Sequence, residues 1–190
     1  MQYVNILDGI MKKIDFVLPT EETVTLLCVG CGAHPHLIYL HSVRRGKATE
    51  DQRQQYENMR QTYANQLAAT VAAAVPDADA LITPPSSRDD VKPYRDAILK
   101  RLPKLIDLSE GVSREGKVKA AQNDTTLEQL INDFAYKPTG REKQIKSLVI
   151  VDETIGTGKT VATTLHHLRA AGLPIAENCK VTIAIALWVK

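Results

Sequence analysis

The sequence predicts an α/β domain built on a mostly parallel β-sheet. Short apolar segments with strand character alternate along the chain with longer segments of helical spacing. Two late segments, residues 147–151 and 180–189, are apolar without alternation, which is typical of strands covered by helices on both faces. The length of 190 residues matches one domain. Ligands of such sheets bind beyond the carboxyl ends of the strands, so a site is expected in the loops that follow strands.

The N-terminal part of the chain carries four candidate elements. Isoleucines at helical spacing predict a helix over residues 5–17. Two apolar, β-branched runs predict strands over residues 23–29 and 37–43, with a turn-rich segment between them. A capping-box pattern at Thr49, followed by apolar residues every three or four positions, predicts a long amphipathic helix that ends near Val75-Pro76.

The middle of the chain alternates short elements with polar loops. Residues 78–83 predict a strand, which leads into the polar loop 84–90, and residues 91–102 predict a helix. Residues 108–124 are polar and charged without a hydrophobic period, so we expect a mobile loop, and loops of this length are often functional. Residues 126–134 predict a short helix.

The C-terminal part predicts a strand, a helix and a final strand. The strand covers residues 147–151, the helix residues 159–171 and the final strand residues 180–189. Two segments that follow predicted strands have the composition of a ligand-binding loop, and these are residues 84–90 and 152–160.

Composition argues against several function classes. Lys and Arg total 24 against 22 Asp and Glu, a net charge of +2, so the basic excess of a nucleic-acid-binding protein is missing. No apolar run approaches the ~20 residues that span a bilayer, and the N-terminus lacks the pattern of a signal peptide. The 3 cysteines are an odd number, which argues against a disulfide framework. We therefore expect a cytoplasmic protein that binds neither nucleic acid nor membranes.

The segment of residues 147–160 is the most informative in the chain. It reads S-L-V-I-V-D-E-T-I-G-T-G-K-T, in which an apolar strand leads to the adjacent acids Asp152 and Glu153 and a small, hydroxyl-rich loop then opens a helix. Glycines let backbone N–H groups turn inward, and a helix N-terminus adds partial positive charge, so a phosphate is the expected ligand. The small and hydroxyl residues of the loop are Gly156, Thr157, Gly158 and Thr160.

A nucleoside-triphosphate P-loop is one interpretation of this segment. Gly158, Lys159 and Thr160 supply the end of the G-x-x-x-x-G-K-[ST] pattern. Glu153, however, stands where the first glycine belongs, and its carboxylate would face a phosphate. About thirty residues follow the loop, too few for the downstream strands and acid of a nucleoside-triphosphatase. An ordinary strand-to-helix turn is a further alternative.

The same segment resembles the signature of type I phosphoribosyltransferases, in which an apolar strand, two acids and a T-G-[GK]-T loop bind phosphoribosyl pyrophosphate. The run V-I-V-D-E-T-I-G-T-G-K-T-V is very similar to the corresponding stretch of hypoxanthine phosphoribosyltransferases, and the general layout is similar to the ComF-type branch. The resemblance implies the type I phosphoribosyltransferase fold, with residues 1–190 as one domain and its core at about 79–189. Residues 1–75 would complete the sheet and build a hood over the acceptor.

The resemblance also implies roles for the residues of this segment. Asp152 and Glu153 would accept hydrogen bonds from the ribose hydroxyls, directly or through Mg²⁺, which is the implied cofactor and would have these two residues as ligands. Residues 156–160 would hold the 5′-phosphate. The implied ligand-binding loop is Thr154, Ile155, Gly156, Thr157, Gly158, Lys159 and Thr160. Purine-salvage relatives have an aspartate near the acceptor base at the place of Gly156, so a 6-oxopurine acceptor is not implied.

Residues 84–88, P-P-S-S-R, resemble the pyrophosphate loop of the same family because they follow a predicted strand. Ser86, Ser87 and Arg88 stand at the matching positions. The planar guanidinium of Arg88 suits a diphosphate because it can bind two oxygens at once, and the resemblance makes it catalytic together with Asp152 and Glu153. A proline-rich surface turn is the alternative.

The polar loop around residues 113–124 lies where the family carries a flexible catalytic loop. It contains Arg114, Lys117 and Lys119, and a lid of this kind would exclude water and bring positive charge to the departing diphosphate. Solvated surface charge is the alternative, and the sequence does not choose among the three basic residues.

Two further patterns have a structural and a functional interpretation. Cys28, Cys31, His34 and His36 are residue types that bind zinc, but Cys28 continues an apolar strand and the histidines follow too closely for a usual finger, so buried thiols and a turn are favoured. Trp188 ends the last predicted strand, where packing at the sheet edge is favoured over stacking on the acceptor.

The function that the resemblance implies is that of a glycosyltransferase of the pentosyl class, active in nucleotide metabolism. It would transfer phosphoribose from phosphoribosyl pyrophosphate to an unidentified, nucleobase-like nitrogen acceptor and release pyrophosphate. Its partners would be these two small molecules, and a homodimer is compatible with the sequence. The alternative is a non-catalytic protein on the same fold that senses phosphoribosyl pyrophosphate or a nucleotide, or binds a partner, which the missing acid at Gly156 motivates.

Overall fold

The structure is a computed structural model that describes residues 2–6, 9–31, 40, 42–43, 46–85, 89–116, 118, 124–175 and 177–188. The strands are β1 (Gln2–Ile6), β2 (Gly9–Val17), β3 (Thr23–Cys31), β4 (Ala80–Ile82), β5 (Ile106–Asp107), β6 (Val112–Arg114), β7 (Phe134–Tyr136), β8 (Ser147–Ile155) and β9 (Lys180–Trp188). The α-helices are α1 (Glu50–Ala74), α2 (Lys92–Arg101), α3 (Leu127–Asp133) and α4 (Lys159–Ala170). Among these, no helix combines the length and the apolar composition that crossing a membrane requires.

A seven-stranded sheet in the order β1-β2-β3-β9-β8-β4-β5 forms the centre of the fold. The five strands from β3 to β5 in this order pair in parallel, whereas β1 and β2 add an antiparallel edge to β3. A separate antiparallel pair is formed by β6 and β7. The predicted class, a mixed α/β fold with a mostly parallel sheet flanked by helices, is confirmed.

The core lies on both faces of this sheet, and β8 shows why. Leu148 and Ile150 belong to one buried cluster, and Val149 and Val151 belong to another. Helical residues in these clusters include Leu165 of α4 in the first, and Leu67 of α1 and Ile98 of α2 in the second. Successive strand residues point to opposite faces, so a central strand covered by helices on both sides is apolar at every position.

The helix predicted over residues 5–17 is wrong, because this segment forms the hairpin of β1 and β2. Phe16 and Leu18 are buried, while Asp15 and Val17 are exposed, which is the two-residue period of a strand. The spacing of the isoleucines fits a helix and a strand equally well. Pairing with β3, which the local pattern does not reveal, favours the strand.

The strand predicted over residues 37–43 is also wrong where the structure describes it. Leu40, Ser42 and Val43 have helical backbone, and the other residues of this segment lie outside the described part of the chain. The Leu40 side chain is buried in the cluster that contains helix α1. Burial against a helix thus accounts for the apolar pattern that suggested a strand.

The remaining elements of the prediction are confirmed, with shifts at their ends. Helix α1 begins at the predicted capping box, in which Thr49 and Gln52 each accept a hydrogen bond from the other's backbone N–H. Strand β8 continues beyond residue 151 to Ile155. Part of the predicted loop 108–124 is ordered as a 3-10 turn, Ser109–Gly111, and as β6. The short strands β5 and β7 were not predicted, since two or three residues carry no detectable period.

Candidate functional site

The two adjacent acids of β8 lie on opposite faces of the strand. Glu153 is fully buried on the side of α1 and α2, where its Oε1 accepts hydrogen bonds from the hydroxyls of Tyr56 at 2.8 Å and Tyr94 at 3.5 Å. Asp152 is half-buried and, by the alternation of strand residues, lies on the other face with Leu148 and Ile150. The structure therefore does not bring the two carboxylates together on one side of the sheet.

The surroundings of Glu153 keep both tyrosines protonated. Burial raises the pKa of Tyr56 well above its ordinary value, and the nearby charge of Glu153 raises it further. The pKa of Tyr94 is raised for the same two reasons, burial first. Both hydroxyls are therefore donors at neutral pH. Tyr56 and Tyr94 were missed as site residues because tyrosines at helical spacing look like ordinary core residues in the sequence.

Asp152 has a fixed orientation at the end of β8. Its Oδ1 accepts a hydrogen bond of 2.7 Å from the backbone N–H of Glu153. Mg²⁺ is usually held by one or two carboxylates together with substrate oxygens and water. Within the described residues no group of three or more His, Cys, Asp or Glu side chains could hold a metal ion by itself. Asp152 thus fits a Mg²⁺ ion that arrives with a phosphorylated ligand, whereas Glu153 is directed to the tyrosines.

A three-residue turn joins β8 to helix α4. Gly158 is the N-cap of α4 with a φ of 77°, and a Cβ at this position would stand 2.8 Å from Cε1 of Phe16. Only glycine fits both the left-handed backbone and the close approach of Phe16. At Gly156, by contrast, a Cβ would meet nothing within 4 Å among the described atoms. The N-cap Gly158 has no side chain with which to cap α4, and N–H groups in the first turn of a helix suit an anion.

The side chains that were predicted to hold the phosphate differ in exposure and in contacts. Thr157 is exposed in the turn and Thr160 is half-buried in the first turn of α4. The ammonium of Lys159 donates a hydrogen bond of 2.7 Å to the backbone carbonyl of Thr125, which precedes α3. The Lys159 side chain is therefore engaged by Thr125, and the backbone N–H groups of the turn are the candidate donors to a phosphate.

The loop after β4 leaves the sheet at the same edge as this turn. Ile82 at the end of β4 pairs with Ile150 of the parallel strand β8, so both strands end in the same direction. Ser86, Ser87 and Arg88, predicted for the pyrophosphate, lie outside the described residues. The neighbouring Pro84 is buried, and the next described element is the 3-10 turn Asp89–Val91.

Arg114, one of the three basic residues of the predicted lid, is held in an ion pair. Its Nη2 lies 3.0 Å from Oδ2 of Asp133, whose side chain is 1% exposed, and it also donates to the carbonyl of Val118. The guanidinium lies 5.4 Å from the centre of the Phe134 ring. Arg114 therefore holds the β6/β7 pair to α3, while Lys117 and Lys119 lie outside the described residues.

The remaining candidates have simple placements. Cys28 is fully buried in the core beside β3, as the favoured structural interpretation predicts. Only the backbone of Cys31 is described, and His34 and His36 lie outside the described residues. Trp188 pairs with Ile155 in the register of β9 and β8, so its backbone reaches the edge of the sheet where Asp152 lies.

Comparison with known proteins finds similarity among solved structures. No protein-family model and no curated protein matches the chain. A hypoxanthine phosphoribosyltransferase from Staphylococcus aureus is similar with a TM-score of 0.44 and 12% identity, over 69% of this chain and 62% of that chain. An orotate phosphoribosyltransferase from Aeropyrum pernix is similar with a TM-score of 0.37 and 15% identity, over 94% and 87%.

These similarities are limited in extent. The chain spans less than two thirds of the length of the first relative. Both TM-scores are below 0.5, so neither similarity carries an argument about function. The ComF-type layout stays a prediction.

Proposed function

We propose that the chain is a phosphoribosyltransferase that binds phosphoribosyl pyrophosphate with Mg²⁺ at the carboxyl end of β8. One observation carries the proposal, namely that a half-buried carboxylate, Asp152, lies three residues before the end of a strand that leads through a three-residue turn into a helix whose N-cap is a glycine. Such a turn suits a phosphate, and a carboxylate four residues earlier suits the hydroxyls of the sugar that carries it.

In the proposed complex the backbone N–H groups of residues 156–160 bind the 5′-phosphate, and Asp152 accepts hydrogen bonds from the ribose hydroxyls. The diphosphate at C1 extends toward the loop after β4, which leaves the same edge of the sheet. Arg88 in that loop neutralises charge on the diphosphate. When bound, Mg²⁺ supplies further neutralisation of the diphosphate charge.

The proposed reaction exchanges one bond at C1 for another. A nitrogen of the acceptor donates its lone pair to C1, the bond from C1 to the diphosphate oxygen breaks, and its electron pair leaves with the diphosphate. The acceptor nitrogen then loses its proton to solvent or to a base that the acceptor complex provides. The chain contributes mostly by positioning, because the phosphate and the sugar are held at separate points.

The geometry disfavours a P-loop nucleoside-triphosphatase. The position that the P-loop pattern gives to its first glycine is Glu153, which is a buried strand residue in contact with two tyrosines. A P-loop wraps its backbone around the phosphate, and a residue that lies within the sheet cannot form part of such a loop. This contrast favours a sugar phosphate over a nucleoside triphosphate as the ligand.

A non-catalytic sensor of phosphoribosyl pyrophosphate or of a nucleotide is the second candidate. Gly156 has no side chain with which to assist deprotonation of an acceptor, and the space beside it is open. In addition, Glu153 is turned toward Tyr56 and Tyr94 rather than toward the face of Asp152. A protein that only binds the sugar phosphate needs no such group.

A product assay distinguishes the two candidates. The chain is incubated with labelled phosphoribosyl pyrophosphate, Mg²⁺ and a panel of nitrogen bases, and pyrophosphate release is measured. Release with one acceptor that is lost in Asp152→Asn, but kept in the exposed control Asp77→Asn, supports the enzyme. Binding of phosphoribosyl pyrophosphate without release across the panel supports the sensor. No binding of phosphoribosyl pyrophosphate, together with tight binding of a nucleoside triphosphate, overturns both.

A further inference from the structure

Two polar contacts join helix α4 to helix α3 and the residues just before it. The ammonium of Lys159, the first residue of α4, donates to the carbonyl of Thr125 at 2.7 Å. Further along α4, Nε2 of His167 lies 3.0 Å from the carbonyl of Ile131 in α3. The two contacts hold the start and the middle of α3 against the helix that opens at the proposed phosphate turn.

Helix α3 is in turn joined to the β6/β7 pair. Its last residue, Asp133, forms the ion pair with Arg114 of β6, and the Asp133 carbonyl accepts from the backbone N–H of Glu115. Strand β7 follows α3 directly at Phe134. The described parts of α3, β6 and β7 are therefore joined, and Lys159, which follows the turn at residues 156–158, contacts them at Thr125.

The placement of Lys159 is unexpected for a residue that only stabilises a helix. A positive charge in the first turn of a helix is disfavoured by the helix dipole. Lys159 is half-buried, and its charge is directed at a carbonyl of another element, a hydrogen bond that the charge strengthens. The side chain thus serves the contact between α4 and α3.

We propose that Lys159 is a positioning residue that couples phosphate binding at the 156–158 turn to the position of α3, and that it is not itself a ligand of the phosphate. A phosphate held by backbone N–H groups fixes the first turn of α4, and Lys159 lies in that turn. The contact with Thr125 then transmits this restriction to α3 and the β6/β7 pair. The proposal rests on the proposed function for the identity of the ligand.

Hydrogen exchange on the full chain tests the coupling, with ribose 5-phosphate as the probe. In the unchanged chain, ribose 5-phosphate is expected to slow amide exchange over residues 124–133. In Lys159→Met, with the probe at a saturating concentration, this slowing is lost, and exchange over residues 124–133 without ligand is about tenfold faster. Lys159→Arg, which keeps a charged donor, restores the slowing, and the exposed control Lys104→Met does not change it.

The Lys159→Met chain is expected to fold because the contact between His167 and Ile131 remains. Lys159→Leu, which also lacks a donor, replaces it if it does not fold, with the same expected results. Equal slowing in Lys159→Met and in the unchanged chain overturns the coupling alone. A loss of affinity of more than about thirtyfold in Lys159→Met overturns it too, because Lys159 would then be a phosphate ligand. No binding of ribose 5-phosphate or phosphoribosyl pyrophosphate by the unchanged chain overturns the proposed function and the coupling together.

Discussion

The hydroxyl of Tyr56 in α1 donates a hydrogen bond of 2.8 Å to Oε1 of Glu153 in β8, across 97 positions of sequence. The neighbouring acids Glu153 and Asp152 therefore have different surroundings. Glu153 is tied to the helices on one face of the sheet, and Asp152 is left half-buried at its edge. We expect Asp152 to contact the ligand and Glu153 to hold the end of β8 in place.

The bond between Tyr56 and Glu153 predicts a graded loss of stability. Tyr56→Phe removes the closer of the two tyrosine donors to a fully buried carboxylate, which is expected to lower the free energy of unfolding by about 2 kcal/mol. Tyr94→Phe removes the donor at 3.5 Å and is expected to cost less, about 0.5 kcal/mol. Urea unfolding measures both values. A larger effect for Tyr94→Phe would contradict this assignment of the donors.

The two glycines of the turn predict opposite tolerance to a side chain. Gly158→Ala places a Cβ 2.8 Å from Phe16 on a backbone with a φ of 77°, so a loss of about 2–3 kcal/mol is expected from the strained backbone and the overlap together. Gly156→Ala enters open space and is expected to change stability by less than about 0.5 kcal/mol. Thermal unfolding of the two variants makes the comparison. Similar melting temperatures would mean that the turn has another conformation.

The ion pair of Arg114 and Asp133 predicts a structural role for Arg114. Arg114→Met removes the Arg114 guanidinium from a carboxylate that is 1% exposed, so a loss of about 3 kcal/mol is expected. The matched control is Arg95→Met, because Arg95 pairs with the half-exposed Asp96 and its loss is expected to cost less than about 1 kcal/mol. Urea unfolding separates the two. Equal, small losses would contradict a structural role for Arg114.

Glu142 predicts a dependence of stability on pH. Burial acts to raise its pKa, but hydrogen bonds from the Thr139 N–H and hydroxyl and from the Tyr136 hydroxyl outweigh burial and lower the pKa from 4.5 to about 2. A lowered pKa in the folded state means that the stabilisation is present above pH 4.5 and is lost as the pH falls toward about 2. Urea unfolding midpoints between these values are expected to fall more steeply for the unchanged chain than for Glu142→Gln. Parallel curves would contradict the prediction.

The sequence was most informative where local patterns decide the structure. The strand, glycine turn and helix from β8 to α4 follow from an apolar run, two glycines and a helical period, all within one segment. The hairpin of β1 and β2 could not be read in the same way, because isoleucine spacing fits two periods and pairing with β3 made the choice.

In the candidate site, too, only the features that are local in sequence could be predicted. The acids and the glycine turn are adjacent in sequence and were predicted as one site. Glu153 contacts Tyr56, which lies 97 positions away in the sequence, and Lys159 contacts Thr125, which lies 34 positions away. A single sequence contains no signal for such contacts, since a tyrosine in a helix and a lysine after a glycine have many other uses.

The most direct test of the central claim is isothermal titration calorimetry of phosphoribosyl pyrophosphate with Mg²⁺ against the unchanged chain, Asp152→Asn and Glu153→Gln. Binding by the unchanged chain is expected, with a loss of affinity of at least about tenfold in Asp152→Asn, because a charged acceptor of the ribose hydroxyls is removed. Glu153→Gln, whose amide oxygen can still accept from Tyr56, is expected to bind within about threefold of the unchanged chain. Failure of the unchanged chain to bind phosphoribosyl pyrophosphate, with tight binding of a nucleoside triphosphate in the same buffer, would contradict the account.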